Sequence, residues 1–211
     1  MTSPCIAILG SGSMGIGIAT HLARHGHEVL LIYPSVEQLA EVPAMARTIL
    51  AELAAAGRFA PEQVAATLTR LRTSVRLKDV AEARLLIETL PERIDLKRAL
   101  YAELERIVDA EAVIASNTGG LSPGRLAEGM RHPGRLLIAH FRSAPHRVPL
   151  VEIVPGRLTR AEHLAYLQTL LAGTSLEVMV PDGARAEVAG SCLPPDPALR
   201  KSRPVPDRPA G

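Results

Sequence analysis

One stretch near the amino terminus constrains the fold more than any other: Gly10-Ser11-Gly12-Ser13-Met14-Gly15, glycines spaced G-x-G-x-x-G. Before it stands Cys5-Ile6-Ala7-Ile8-Leu9, an apolar run too short for a helix and suited to a strand covered on both faces. After it comes a helical stretch ending at Gly26, a natural C′ residue, and then a second apolar strand from His27 to Tyr33. Strand, glycine turn, helix and strand in this order make a right-handed βαβ unit. In such a unit the first glycine permits the tight turn, the second lets the backbone approach a pyrophosphate, and the third lets helix and strand pack closely. The helix N-terminus then offers free N–H groups and the positive end of its dipole to the phosphates. Gly10, Gly12, Ser13, Met14 and Gly15 are therefore candidate cofactor-binding residues. The spacing alone also fits a glycine-rich turn with no ligand; its place between strand and helix favours the nucleotide.

The rest of the chain repeats the alternation. Residues 36–72 read as a helix, a break at Gly57 and Pro61, and a second helix, with Leu39, Val42, Met45, Ile49 and Leu53 on one stripe. Strands are expected over 83–88, 112–116, 136–140, 149–154 and 175–180. Helices are expected over 94–108, with Leu96, Leu100, Leu104 and Ile107 on its stripe, and over 160–173. This is an α/β chain of Rossmann type: a doubly wound, mostly parallel sheet with a helical-hairpin insertion after the second strand. The pattern stops near Pro181. Residues 182–211 are proline-rich with mixed charge and no period, so a dinucleotide-binding domain over 1–181 and a disordered tail over 182–211 are expected.

Composition removes other classes. A net charge of +2 with acids and bases interleaved argues against a nucleic-acid surface. No apolar run approaches a membrane span, and the start lacks a basic region before an apolar stretch. Cys5 and Cys192 form no metal or disulfide framework, so no metal is expected, and the compartment is read as cytoplasmic. One expected group is missing. Where a nucleotide-binding strand usually ends in an Asp or Glu for the adenosine ribose, this chain has Tyr33, followed by Pro34 and Ser35. Tyr33 is thus the candidate residue at the ribose, and NADP is not excluded beside NAD.

Several further stretches, ILGSGSMGIGIATHLARHGHEV, the helical insertion, LLIETLPERIDLKRALYAEL, ASNTGGLSP and IAHFRSAPHRVPLVEIVPG, stand in one order. In these the chain resembles the NAD-binding domain of the 3-hydroxyacyl-CoA dehydrogenases over about residues 4–180. The resemblance implies oxidation of the 3-hydroxyl of an acyl thioester, or of a small 3-hydroxy acid, with hydride passed to NAD. It implies His140 as the base, a role that suits an imidazole titrating near neutrality, and Glu152 as the carboxylate that orients it. It places Glu92, Lys97 and Asn117 near the cofactor. By themselves Glu92 and Lys97 read as surface charges at a helix start, and Asn117 as an ordinary turn residue. The chain departs from the family at positions expected to face substrate. Gly119 stands where the family has a serine, and Arg142 and Ser143 where it has an aromatic residue and an asparagine. Past Pro181 the family continues into an all-helical second domain that this sequence does not match. A separate helical domain or self-association is the partner expected, with a catalytically silent or split-enzyme nucleotide-binding module as the alternative function.

Overall fold

Ile6, Ala7, Ile8 and Leu9 are all buried, yet they serve two different layers. Ile6 and Ile8 join one apolar cluster and Ala7 and Leu9 the other, because successive side chains of a strand point to opposite faces. That is why the first strand reads as an unbroken apolar run. The computed structural model describes residues 6–10 and 12–181. The expected disordered tail lies outside the described residues.

Eight strands form one sheet: β1 (Ile6–Leu9), β2 (Val29–Ile32), β3 (Leu71–Ser74), β4 (Leu85–Glu88), β5 (Val113–Ser116), β6 (Leu136–Phe141), β7 (Leu150–Pro155) and β8 (Glu177–Met179). Their order is β3-β2-β1-β4-β5-β6-β7-β8, parallel throughout except for the antiparallel pair β6–β7. The helices are α1 (Ser13–Arg24), α2 (Val36–Leu39), α3 (Glu41–Ala55), α4 (Val64–Thr69), α5 (Ile94–Leu104), α6 (Pro123–Ala127) and α7 (Ala161–Ala172). Buried residues of α1, α3 and α7 fill the cluster on one face of the sheet, and those of α5 and α6 fill the cluster on the other. From β1 the chain winds outward to β2 and β3, then returns to β4 on the other side of β1. The carboxyl ends of β1 and β4 therefore flank the switch point where open α/β sheets bind their ligands.

The α1 terminus forms as the sequence implies. Gly26 has φ +94, and the N–H groups of Gly26 and His27 bond back to the carbonyls of Ala23 and Leu22, which closes the helix in the left-handed turn glycine favours. Three features differ from the sequence reading. The helical insertion ends in an edge strand, β3, whose Arg72 and Thr73 are exposed; a short, half-wet Leu-Arg-Thr-Ser strand carries no apolar run to betray it. Its first helix is divided at Ala40 into α2 and α3, because Pro43 lacks the N–H that would continue the ladder to Leu39. The stripe on α5 also loses its first member: Leu104 is buried and Leu100 and Ile107 pack partly into the core, but Leu96 is 37% exposed, and Lys97 and Tyr101 are buried. A lysine sits on the core side of this helix.

Candidate active site

The three glycines of the first turn do different work. Gly10 has φ +135, and a Cβ there would lie 2.4 Å from Thr89 Oγ1, in the turn after β4. A Cβ at Gly15 would lie 2.8 Å from the Gly10 carbonyl oxygen. Gly10 is therefore closed off by the β4 connection, and Gly15 by the turn itself with Thr89 Oγ1 behind it at 3.0 Å. A Cβ at Gly12 would meet nothing within 4 Å, so this glycine faces open space at the mouth of α1. Gly12 is also the α1 N-cap, with no side-chain cap and no acidic residue in the first turn. Unpaired helix N–H groups, the positive dipole end and free room above Gly12 fit a pyrophosphate. Ser13 is exposed at this mouth, and Met14 packs partly into the core.

Tyr33 follows β2 and is 2% exposed within the core cluster. Burial first, and Glu41 second, push its hydroxyl up to about 12, and the hydroxyl has no hydrogen-bond partner among the described residues. The usual ribose-binding carboxylate is not replaced by another acid at this position.

Beneath the switch point lies a buried network that sequence reasoning missed. Glu88 is the last residue of β4 and is wholly buried, as is Lys97. The Glu88 carboxylate accepts from Lys97 Nζ at 2.6 Å, Tyr101 Oη at 2.6 Å, Ser116 Oγ at 2.7 Å and the Leu90 backbone N–H at 2.5 Å. Lys97 Nζ also donates to the Leu90 carbonyl at 3.2 Å. Burial, with Glu88 next, raises the Tyr101 phenol well above its ordinary range, so Tyr101 is a fixed donor. The signal in the sequence was an acid closing the apolar run Leu85-Leu86-Ile87-Glu88 at the carboxyl edge.

His140 and Glu152 are direct partners across the antiparallel pair β6–β7. Leu136 and Ile138 mark the face His140 shares, and Val154 the face Glu152 shares; all three belong to the α5/α6 side. Strand alternation thus puts imidazole and carboxylate side by side, with His140 Nδ1 3.7 Å from Glu152 Oε2. Burial lowers the pKa of His140 below the ordinary imidazole value; Glu152 raises it, Arg142 lowers it, and Glu92 raises it to a lesser degree. The loop after β5 passes beside the ring: a Cβ at Gly119 would lie 2.9 Å from His140 Nε2. Asn117 holds the next residue, accepting the Phe141 N–H on Oδ1 at 2.9 Å. Glu92 is exposed and ties down the same loop, accepting from Thr118 Oγ1 and from the Gly120 N–H at 2.9 Å. Ser143 lies half-buried in the β6–β7 connection. The structure therefore brings His140, Glu152, Asn117, Gly119 and Glu92 together, and sets Lys97 below them with no exposed surface. Among the described residues there is no cluster of three or more His, Cys, Asp or Glu able to hold a metal, and no helix long and apolar enough to cross a membrane.

The sequence and the fold are both similar to those of known proteins. Residues 5–180 match the family model of the 3-hydroxyacyl-CoA dehydrogenase NAD-binding domain. The chain belongs to this family. It is 34% identical over 159 residues to the fatty acid oxidation complex subunit alpha of Psychrobacter arcticus. It is 34% identical over 157 residues to the 3-hydroxyadipyl-CoA dehydrogenase of Escherichia coli. These matches cover 75% and 74% of this chain but only 22% and 33% of those proteins. Among solved structures, the 3-hydroxybutyryl-CoA dehydrogenase of Escherichia coli superposes with a TM-score of 0.79 at 32% identity, over 85% of this chain and 38% of that one. The (S)-3-hydroxybutyryl-CoA dehydrogenase of Ralstonia eutropha gives 0.81 at 25% identity, over 89% and 66%. As a 3-hydroxyacyl-CoA dehydrogenase NAD-binding domain, the chain spans a minor part of the curated relatives it matches.

Proposed function

We propose that this chain is the cofactor-binding and proton-handling part of an NAD-dependent oxidoreductase acting on 3-hydroxyacyl thioesters. The observation that carries the reading is the His140–Glu152 pair at the carboxyl edge of the sheet, on the side of the glycine loop's crevice. Gly12, Ser13 and the first N–H groups of α1 would hold the pyrophosphate. Bound NAD supplies a hydride acceptor. With Nδ1 turned to Glu152, His140 presents its Nε2 lone pair to take the proton of the substrate hydroxyl. The depressed imidazole pKa keeps the base neutral at neutral pH, and Glu152 stabilises the imidazolium once the proton has moved. Asn117, through the Phe141 N–H, holds the strand end that carries the imidazole.

NAD is favoured over NADP by the charge around Tyr33. Glu37 and Glu41 follow Tyr33 in the chain, and Glu41 acts on its hydroxyl, so a 2′-phosphate placed there would meet like charge. The substrate's acyl-binding wall belongs to a separate helical domain or to a further copy, consistent with the small share of each relative that the chain spans. The test uses the 211-residue chain and NADH or NADPH, read by nicotinamide fluorescence, followed by turnover of a short 3-hydroxyacyl-CoA. The expected result is NADH binding in preference to NADPH, with His140→Ala retaining NADH and, once the helical domain of a relative is added to complete the acyl site, losing turnover by about 10²-fold or more. Equal residual rates in wild type and His140→Ala, with NADH bound in both, would favour a catalytically silent binding module.

A further inference from the structure

We propose that Gly119 is a positioning residue for the base: the space left by its missing side chain seats the His140 imidazole, and a side chain there would drive the ring across to Glu152. This rests on the reading of His140 as the proton acceptor and adds to it what sets the ring's place.

The backbone does not ask for this glycine. Among the described residues, the glycines with positive φ are Gly10, Gly26, Gly57 and Gly129. Gly119 is not one of them, so its dihedral angles suit an alanine. Space is what excludes a side chain. An added Cβ would lie 2.9 Å from His140 Nε2, 3.0 Å from Cε1 and 3.7 Å from Cδ2. Non-bonded carbon atoms settle at about 3.5–4.0 Å, so with a side chain at 119 either the loop or the ring has to give way.

The loop is held on both sides of Gly119. The Asn117 N–H donates to the Glu88 carbonyl at 2.7 Å, and Asn117 Oδ1 accepts the Phe141 N–H at 2.9 Å. Thr118 is buried, donates its hydroxyl to Glu92 and accepts the Leu121 N–H at 3.1 Å. Beyond Gly119, the Gly120 N–H donates to Glu92 Oε1 at 2.9 Å. The Asn117–Phe141 bond also fixes the backbone at the end of β6 against this loop. The imidazole is tied less closely. Its Nδ1 stands 3.7 Å from Glu152 Oε2, about 1 Å longer than a charge-assisted hydrogen bond.

Sheet order gives the direction of movement. β5 and β7 lie on opposite sides of β6, so the Gly119 loop and Glu152 flank the ring from opposite sides. A push from position 119 therefore carries Nδ1 toward Glu152 and closes the gap. In the chain as it stands the ring leans on Gly119 instead, and its contact with the carboxylate stays loose. Besides burial, the groups acting on its charge are Glu152 from β7, Arg142 beyond the end of β6 and Glu92 from the β4–α5 turn. Seated away from Glu152, the imidazole gains less from that carboxylate and stays the neutral ring that can accept a proton.

Gly119→Ala tests the seat when it is crossed with Glu152→Gln in the full 211-residue chain, with the His140 titration followed by NMR in the absence of cofactor and substrate. An added methyl also shields the ring from water, and this lowers the titration whether residue 152 is charged or not. Movement of the ring registers only when the carboxylate is present. Glu152→Gln is therefore expected to lower the titration by about half a pH unit more in Gly119→Ala than in wild type. An equal or smaller drop overturns the proposal, because the loop and not the ring has then given way. Gly119 is exposed, so the variant is expected to fold, and circular dichroism checks it. The wild-type chain supplies a second reading that does not depend on that variant. The Nδ1 proton of its neutral ring is expected to resonate as in an imidazole without a close carboxylate acceptor. A wild-type resonance already far downfield, and returned upfield by Glu152→Gln, also overturns the proposal. If both readings come out as expected while His140→Ala keeps full turnover, the role of His140 as the base fails and the seat stands.

Discussion

At the scale of single residues, glycines that look alike in the sequence carry opposite constraints. Gly15 has no room: an added methyl would lie 2.8 Å from a main-chain oxygen that cannot swing away. Gly12 has open space and a φ of −85, which an alanine adopts without strain. Gly15→Ala is therefore expected to lower stability by about 1–3 kcal/mol through overpacking, seen as an earlier denaturant midpoint. Gly12→Ala is expected to leave the midpoint unchanged and weaken NADH, because the methyl occupies the approach of the phosphates. An equal loss of stability in both variants would mean that Gly12, too, is only a packing glycine. The G-x-G-x-x-G spacing implies the turn, but it does not say which glycine leaves open space. That depends on Thr89, brought in from a distant strand. Lys97 shows the same limit from the other side. A lysine at a helix start reads as a surface charge, and only the carboxylate beneath it makes a core position of it.

At the scale of elements, the strands that read most clearly were those whose four residues are buried on both faces, β1, β2, β4 and β5. β3 is not legible because its burial is partial, and Lys97 is not legible as a core position of α5 because its partner Glu88 comes from β4. The β6–β7 pair presents the proposed base and its carboxylate for a simpler reason: antiparallel register sets His140 directly opposite Glu152. Their electrostatics can be tested without substrate by following the imidazole titration in the NMR spectrum. Burial dominates and lowers the pKa below the ordinary 6.5, so the neutral base persists to mildly acidic pH. Arg142 also lowers it, so Arg142→Gln is expected to move the titration to higher pH. Glu152 raises it, so Glu152→Gln is expected to move the titration lower still. Shifts of the opposite sign in either variant would show that the two charges do not face the ring as described.

At the scale of the whole molecule, the question is what holds the first βαβ unit to the distant β7–α7–β8 end of the sheet. One tie is His21 on α1, 2% exposed, whose Nε2 lies 3.0 Å from the carbonyl oxygen and 3.2 Å from the hydroxyl of Thr174, in the connection from α7 to β8. With that carbonyl as acceptor, Nε2 carries the proton, and Nδ1 has no partner among the described residues. Protonation would place a second N–H where nothing accepts it, beside His25 and Arg24. Burial first, then those neighbours, push the pKa of His21 down to about 3. Between that value and the ordinary 6.5 the unfolded chain binds a proton that the native chain does not. Stability from this residue is therefore complete above pH 6.5 and falls by up to about 1.4 kcal/mol per pH unit as the solution is acidified toward pH 3. His25, His27 and His146 are lowered in the same direction, burial again leading in each, so their contributions add with the same sign. Against a native stability of about 5–15 kcal/mol, two units of acidification are enough to matter. Denaturant titrations at pH 7.5, 6.0 and 4.5 are expected to show the midpoint dropping with pH, and His21→Gln, which keeps a donor for Thr174 and cannot take a charge, is expected to flatten the fall. A wild-type midpoint that is level or rises on acidification, or a His21→Gln profile parallel to wild type, would remove His21 as the tie between the two ends of the sheet.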